Sequence, residues 1–305
     1  MTTDAPFTGF QSPTSNTTYT PNQFFDVVLP VASRGVVRLV AYMLRKTLGW
    51  SDAEGNPQEA RITLSYRDME IHAGIAQSKT RAALDEAIAA HFIRCVRPGQ
   101  SHMEGSQGIS ALYELCWDER EIYLTDPEDF QGFYAGNGNL TYIPNEFFDV
   151  LIPHEPLAVI KVVGAIIRHT IGFQTRYGMR RQQIVMSFTE IQRKTGIVSR
   201  RSVNEALHLA LEHQYLQVIE TGYFDPNGGQ NSRAATYGVR WQESIQTAPE
   251  EVLTRPSDTS PAIDASKRIP EERLQKDTGG TPPKGYRERL QKDTGNASKR
   301  IPAYK

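Results

Sequence analysis

The string YTPNQFFDVVLP at residues 19–30 returns as YIPNEFFDVLIP at residues 142–153, 123 positions later. A repeat at that fixed offset means that a small folding unit has been duplicated, so the fold must accommodate two near-equivalent copies. The match runs on. RLVAYMLRKTLGW (38–50) aligns with KVVGAIIRHTIGF (161–173) at the same offset. Val36, Leu39, Val40, Met43 and Leu44, and their counterparts Val159, Val162, Val163, Ile166 and Ile167, each make an i, i+3, i+4, i+7, i+8 stripe. That spacing predicts an amphipathic helix with one core face in each copy. Gly49 and Gly172 follow the helix ends, where a left-handed cap is expected.

Next come ITLSYRDMEIHAG (62–74) and IVMSFTEIQRKTG (184–196). Each opens with a short β-prone run and continues through Ser65-x-x-Asp68 or Ser187-x-x-Glu190, a capping pattern for a helix start. Gly74 and Gly196 then predict a tight turn between two helices. Each copy closes with a second helix, a β-prone run, a polar Gly-rich excursion and a return strand. Helix, strand, helix, turn, helix and hairpin, in that order, predict a winged helix-turn-helix, and about 100 residues per copy suits one small domain. Asn22 and Asn145 are expected to cap short helices carrying the paired phenylalanines.

The expected fold class is α+β, mainly α. The expected organisation is a disordered N-terminus (1–18), winged-helix domain 1 (19–117), an acidic linker (118–140), winged-helix domain 2 (141–241) and a disordered tail (242–305). The linker sets Asp118, Glu119, Glu121, Asp126, Glu128 and Asp129 against Arg120 alone, and AGNGN is expected to flex. Past Trp241 the chain is too poor in apolar residues to fold. It repeats ASKRIP and RLQKDTG. Two copies of a linear motif would gain avidity for an oligomeric partner such as a replicative helicase or its loader; the alternative is slippage duplication in an unconstrained tail.

The pattern YIPNEFFDVLIP, RHTIGF and TGIVSRRSVNEAL resembles the N-terminal, origin-binding winged helix of phage replication protein O and its bacterial relatives. The first copy repeats it with YTPNQFFDVVLP and RKTLGW but departs in its turn, reading AGIAQSKT. Two such domains in one chain also resemble tandem winged-helix plasmid replication initiators. The resemblance implies origin binding and recruitment of replication machinery.

In a helix-turn-helix the second helix enters the major groove and its N-terminal residues reach base edges. In the second copy Arg200, Arg201, Asn204 and His208 face outward. Arginine suits guanine and asparagine suits adenine. Ser199 is placed to cap this helix, and with Ser202 its free N–H groups suit a phosphate. Arg193, Lys194 and, on the hairpin, Arg233 are phosphate candidates, as are Arg180 and Arg181. The first copy offers Gln77, Ser78, Lys79 and Arg81. There Ala76 replaces the capping serine and Asp85 stands where it would repel phosphate. The hairpins add Gln100 and His102, and Asn227, Gln230 and Asn231.

A net charge of −1 hides this local placement. No phosphate loop, zinc spacing or hydrolase elbow occurs, so neither a cofactor, a metal nor enzymatic activity is expected. Cys95 and Cys116 read as small buried residues in a reducing compartment. No apolar run approaches a membrane span and the start is no signal peptide, so the expected location is cytoplasmic, at the nucleoid. The expected function is sequence-specific double-stranded DNA binding in replication initiation. The alternatives are a winged-helix transcriptional regulator and a winged-helix protein-interaction scaffold.

Overall fold

The computed structural model describes residues 7–13, 15–50, 59–100, 108–120, 122–174, 178–223 and 232–242. The tail repeats lie outside these residues, as do His102, Asn227, Gln230 and Asn231 of the hairpins. The architecture is α+β, with helices packed on small sheets. Copy one runs β1 (Thr17–Pro21), a π-helical turn (Phe24–Val28), α1 (Leu29–Val31), α2 (Arg34–Leu48), β2 (Arg61–Leu64), α3 (Tyr66–Ile71), α4 (Gln77–Ala89), β3 (Ile93–Arg97) and β4 (Ala111–Leu115). After β5 (Trp117–Asp118) and β6 (Phe133–Tyr134), copy two repeats the order. It runs β7 (Leu140–Pro144), a π-helical turn (Phe147–Leu151), α5 (Ile152–His154), α6 (Leu157–His169), β8 (Gln183–Val185), α7 (Phe188–Thr195), α8 (Arg200–Glu212), β9 (Leu216–Glu220) and β10 (Thr236–Val239).

Each copy closes a three-stranded antiparallel sheet in equivalent order, β2-β4-β3 and β8-β10-β9. The predicted apolar stripes of α2 and α6 are completely buried at all ten positions. Ser65 forms the predicted reciprocal cap with Asp68, whereas Ser187 accepts from the Glu190 N–H with no return bond. Gly49 has φ −80°, not the left-handed cap expected, because its N–H continues the helix onto the Arg45 carbonyl.

The largest departure from expectation concerns the linker and the N-terminus. The two copies form one compact unit within residues 1–246. β1 pairs antiparallel with β7, and Tyr19 lies opposite its own counterpart Tyr142. A pseudo-two-fold axis therefore passes between these two residues, and contacts occur in matched pairs around it. Thr18 donates to Asn145 at 2.8 Å while Thr141 donates to Asn22 at 2.6 Å. The two asparagines thus clamp the opposite copy's strand instead of capping a helix. Arg45 pairs with Asp149 at 3.0 Å, and its counterpart Arg168 pairs with Asp26 at 2.9 Å. Phe24 meets Phe148, and Phe25 meets Phe147. Buried Arg38 donates to the Ile152 carbonyl at 3.1 Å, while buried Lys161 donates to the Pro30 carbonyl at 2.8 Å.

The N-terminal arm is part of this exchange. Phe10 is fully buried against copy two, with its N–H on the Arg240 carbonyl and its carbonyl accepting from Gln242, both at 2.8 Å. Phe133 does the same in copy one, donating to the Cys116 carbonyl at 2.7 Å. The sequences Phe7-Thr-Gly-Phe10 and Phe130-Gln-Gly-Phe133 are 123 residues apart, so the repeat begins at Phe7 and each arm packs on the opposite copy. Phe7 edges Phe10 and meets Tyr215, just as Phe130 edges Phe133 and meets Phe92.

The connection between the copies is correspondingly built in. Gln23 is almost fully buried, donating to the Leu124 carbonyl and accepting from the Tyr134 N–H, both at 2.6 Å. Tyr123 donates to Asp26 at 3.1 Å, and Asp118 is buried against Arg120. The acidic count concealed alternating aromatic anchors whose burial outweighs the solvation of the acids between them.

The turns before α4 and α8 are locked by the same exchange. Gly74 and Gly196 both have φ +67°, and each lies against the opposite copy's opening segment, at the Pro153 and Pro30 carbonyl oxygens. A Cβ at either position would meet both the backbone strain and that oxygen. Gly196→Ala is expected to lower stability by about 2 kcal/mol or more, read from the urea midpoint. Gly138→Ala, at φ +83° with nothing within 4 Å, carries the strain alone and is expected to cost less.

Candidate nucleic-acid interface

Helix α8 packs on α6 and α7 through Val203, Ala206, Leu207 and Ala210, all buried, while Leu211, expected on the same face, is only half-buried. That seating turns Arg200, Arg201, Asn204 and His208 outward, all exposed, with Ser202 half-buried among them. Ser199 caps the helix, accepting from the Ser202 N–H at 3.3 Å. Ser199→Ala is expected to destabilise the chain by about 1 kcal/mol, a shift readable in thermal melts. The preceding turn is tied by Gln192, which donates to the Val198 carbonyl.

The outward residues are held loosely. Arg201 reaches Glu205 one turn on at 2.7 Å, with its side chain 87% exposed. Such an exposed pair contributes little, so a nucleic acid can displace Glu205 cheaply. The Arg200 guanidinium lies 5.1 Å from the Phe188 ring centroid, which orients it beside the helix start. Asn204 has no protein partner among the described residues, and His208 stands 3.6 Å from Glu212. Together the cap, the helix N-terminus and two arginines make a local positive edge on a near-neutral chain.

Arg193 and Lys194 lie at the end of α7 and line a cleft of about 410 Å3 with Arg168, His169, Asp26, Pro30 and Phe173. Arg193 is exposed, but Lys194 is half-buried and lines the cleft with His169. Burial first, then Lys194 and Arg168, push His169 down from 6.5 to about 4, opposed by Asp26. A histidine neutral in the fold and protonated when unfolded withdraws stability as pH falls from about 6.5 toward 4. His169→Gln is therefore expected to lose less stability than the parent chain between pH 7 and 4.5 in matched urea titrations. Lys194 is a weaker phosphate candidate than its sequence position suggested, because one side of it faces this cleft.

Arg233 is exposed at the base of the β9–β10 hairpin, exchanging backbone hydrogen bonds with Tyr223 at 2.8 and 2.9 Å. Arg181 is exposed with its guanidinium 5.5 Å from the Phe173 ring centroid, and Arg180 is half-buried.

The corresponding face of copy one differs chemically. Gln77, Ser78, Lys79 and Arg81 are all exposed on α4. Ala76 supplies no side-chain cap. Asp85 does more than repel phosphate: it holds Arg81 at 2.9 Å, although both side chains are well exposed. Ile88 on α4 and Ile109 across from it are exposed and border a groove between the helix and the β3–β4 hairpin, which Gln100 also lines. Cys95 is exposed there and Cys116 is only half-buried, so neither is the fully buried residue expected.

What the sequence missed was the clamp that fixes both faces. Asn22, Asn145, Asp26, Asp149 and the Phe-x-Gly-Phe arms were all visible as repeats, but their partners lie across the axis. Among the described residues no group of His, Cys, Asp or Glu could hold a metal ion, and no helix is long and apolar enough to cross a membrane. No family model, curated protein or solved structure matches this chain.

Proposed function

We propose that this chain is a sequence-specific double-stranded DNA-binding protein built from two winged helix-turn-helix units, and that it initiates replication of a phage, plasmid or integrated element. The observation that carries the DNA reading is the capped, outward face of α8, which offers Arg200, Arg201 and Asn204 at one helix start beside a hairpin. Two of these residue types suit base edges in a major groove, and the free N–H groups suit a phosphate. The initiator role follows from the resemblance to phage replication protein O, with the tail as the element that recruits a helicase or loader. Basic contacts supply salt-sensitive affinity and α8 supplies most of the specificity.

Selecting bound fragments from the genetic element that carries this gene, at two salt concentrations, tests the reading. Clustered repeated sites support an initiator. A single site across a promoter supports a transcriptional regulator. A second reading has its own support in copy one, where the paired Arg81 and Asp85 and the groove of mixed polar and apolar lining along α4 suit protein contact. Absence of any specific fragment would favour that scaffold role.

A further inference from the structure

The matched contacts around Tyr19 and Tyr142 constrain what α4 and α8 can reach together. Each helix packs on its own copy's long helix, α4 on α2 and α8 on α6. Each preceding turn is pinned by a glycine against the other copy's proline carbonyl. The arms, the asparagine clamps and the two ion pairs hold the copies in one unit. The matched contacts therefore relate the two helices by a rotation of about half a turn and not by a translation.

Two heads related by a two-fold axis match one duplex at once only when the DNA presents its half-sites inverted. Directly repeated half-sites require a translation, which this interface does not allow. We propose that a single chain reads one imperfect inverted repeat, centred on its own pseudo-two-fold axis, with the half under α8 carrying most of the base specificity. This rests on the DNA-binding reading above. It replaces the homodimer by which helix-turn-helix proteins ordinarily read such sites with one duplicated chain.

The imperfection follows from the two helix faces. Along the repeat Ser199, Arg200, Arg201, Asn204 and His208 correspond to Ala76, Gln77, Ser78, Arg81 and Asp85. Every outward position that could read a base has changed, while three of the four buried positions, Ala83, Leu84 and Ala87, keep their type in Ala206, Leu207 and Ala210, the fourth being Thr80 against Val203. The core of the head is thus retained and its reading edge replaced. The α4 half of the site is expected to carry a different and weaker sequence preference.

The test starts from the strongest duplex recovered from a random-sequence library with the full chain. The half-site protected by α8 is kept, and the other half is presented inverted, direct or scrambled over a series of spacings. The proposal expects one-to-one binding, with the inverted arrangement at one spacing at least about tenfold tighter than every direct arrangement and than the scrambled control. A second arm uses the chain with Ala76→Ser, Gln77→Arg, Ser78→Arg, Arg81→Asn and Asp85→His. It is expected to bind a perfect inverted repeat of the α8 half-site about tenfold tighter than the parent chain does. If that variant does not fold, the spacing series on the parent chain decides alone. Equal affinity for inverted and direct arrangements, a direct preference, or two chains per inverted repeat would overturn the proposal and leave DNA binding standing. Recovery of no specific duplex would overturn both.

Discussion

Arg200→Ala combined with Asn204→Ala is expected to weaken binding to the selected duplex by about a hundredfold or more, with the melting temperature unchanged. The size follows from two bidentate base contacts, each worth roughly 1–3 kcal/mol of discrimination. Both side chains are exposed, so neither truncation opens a cavity; Arg200 loses only its contact with Phe188. Fluorescence anisotropy over a salt series separates the mechanisms. Loss of a base reader lowers specific affinity toward the non-specific level, whereas loss of a phosphate contact weakens all duplexes and reduces the salt slope. The matched change in copy one, Gln77→Ala with Arg81→Ala, is expected to cost tenfold or less, because α4 lacks the side-chain cap and the pair of arginines that α8 carries at its start. Full specific affinity in the Arg200→Ala, Asn204→Ala chain would remove α8 from the interface.

Phe10→Ala is expected to destabilise the chain by about 3–5 kcal/mol, the usual cost of emptying a fully buried aromatic site. A residue in a Ser- and Thr-rich segment would otherwise be expected to tolerate truncation. Phe133→Ala should cost a similar amount, since its ring fills the equivalent site in the opposite copy. Urea unfolding by tryptophan fluorescence reads both, with Trp241 adjoining the Phe10 arm and Trp117 adjoining Phe133. If Phe10→Ala changed the midpoint no more than an exposed substitution does, the exchanged arm would not be holding copy two.

The parts of this fold that were legible in the sequence are those governed by local periodicity. The stripes on α2 and α6, the Ser65 and Ser199 caps, the missing cap at Ala76 and the turns at Gly74 and Gly196 each depend on neighbours within one or two helical turns. The outward face of α8 followed from the same arithmetic, because fixing Val203, Ala206 and Leu207 inside leaves Arg200 and Asn204 no other direction. What was not legible depends on partners more than a hundred residues away. Asn22 looks like a helix cap until Thr141 is placed beside it, and Asp26 looks like a surface acid until Arg168 and Tyr123 close on it. The linker's packing is hidden for a related reason: net charge averages over residues, whereas Phe130 and Phe133 act singly. One signal was available, since Phe-x-Gly-Phe recurs at the same offset as the longer repeat. It marks both arms as parts of the duplicated unit.

DNA reading by α8 requires that this helix lie in a major groove. A chain carrying Glu205→Cys and Cys95→Ser, coupled at the new thiol to a short hydroxyl-radical-generating chelate, measures this directly; Cys95→Ser alone serves as the control. Cleavage confined to one half of the selected site, with the major-groove offset between strands and absent from the control, is the predicted result. Unchanged binding with cleavage no different from the control would place the DNA elsewhere on the molecule and contradict the assignment of α8.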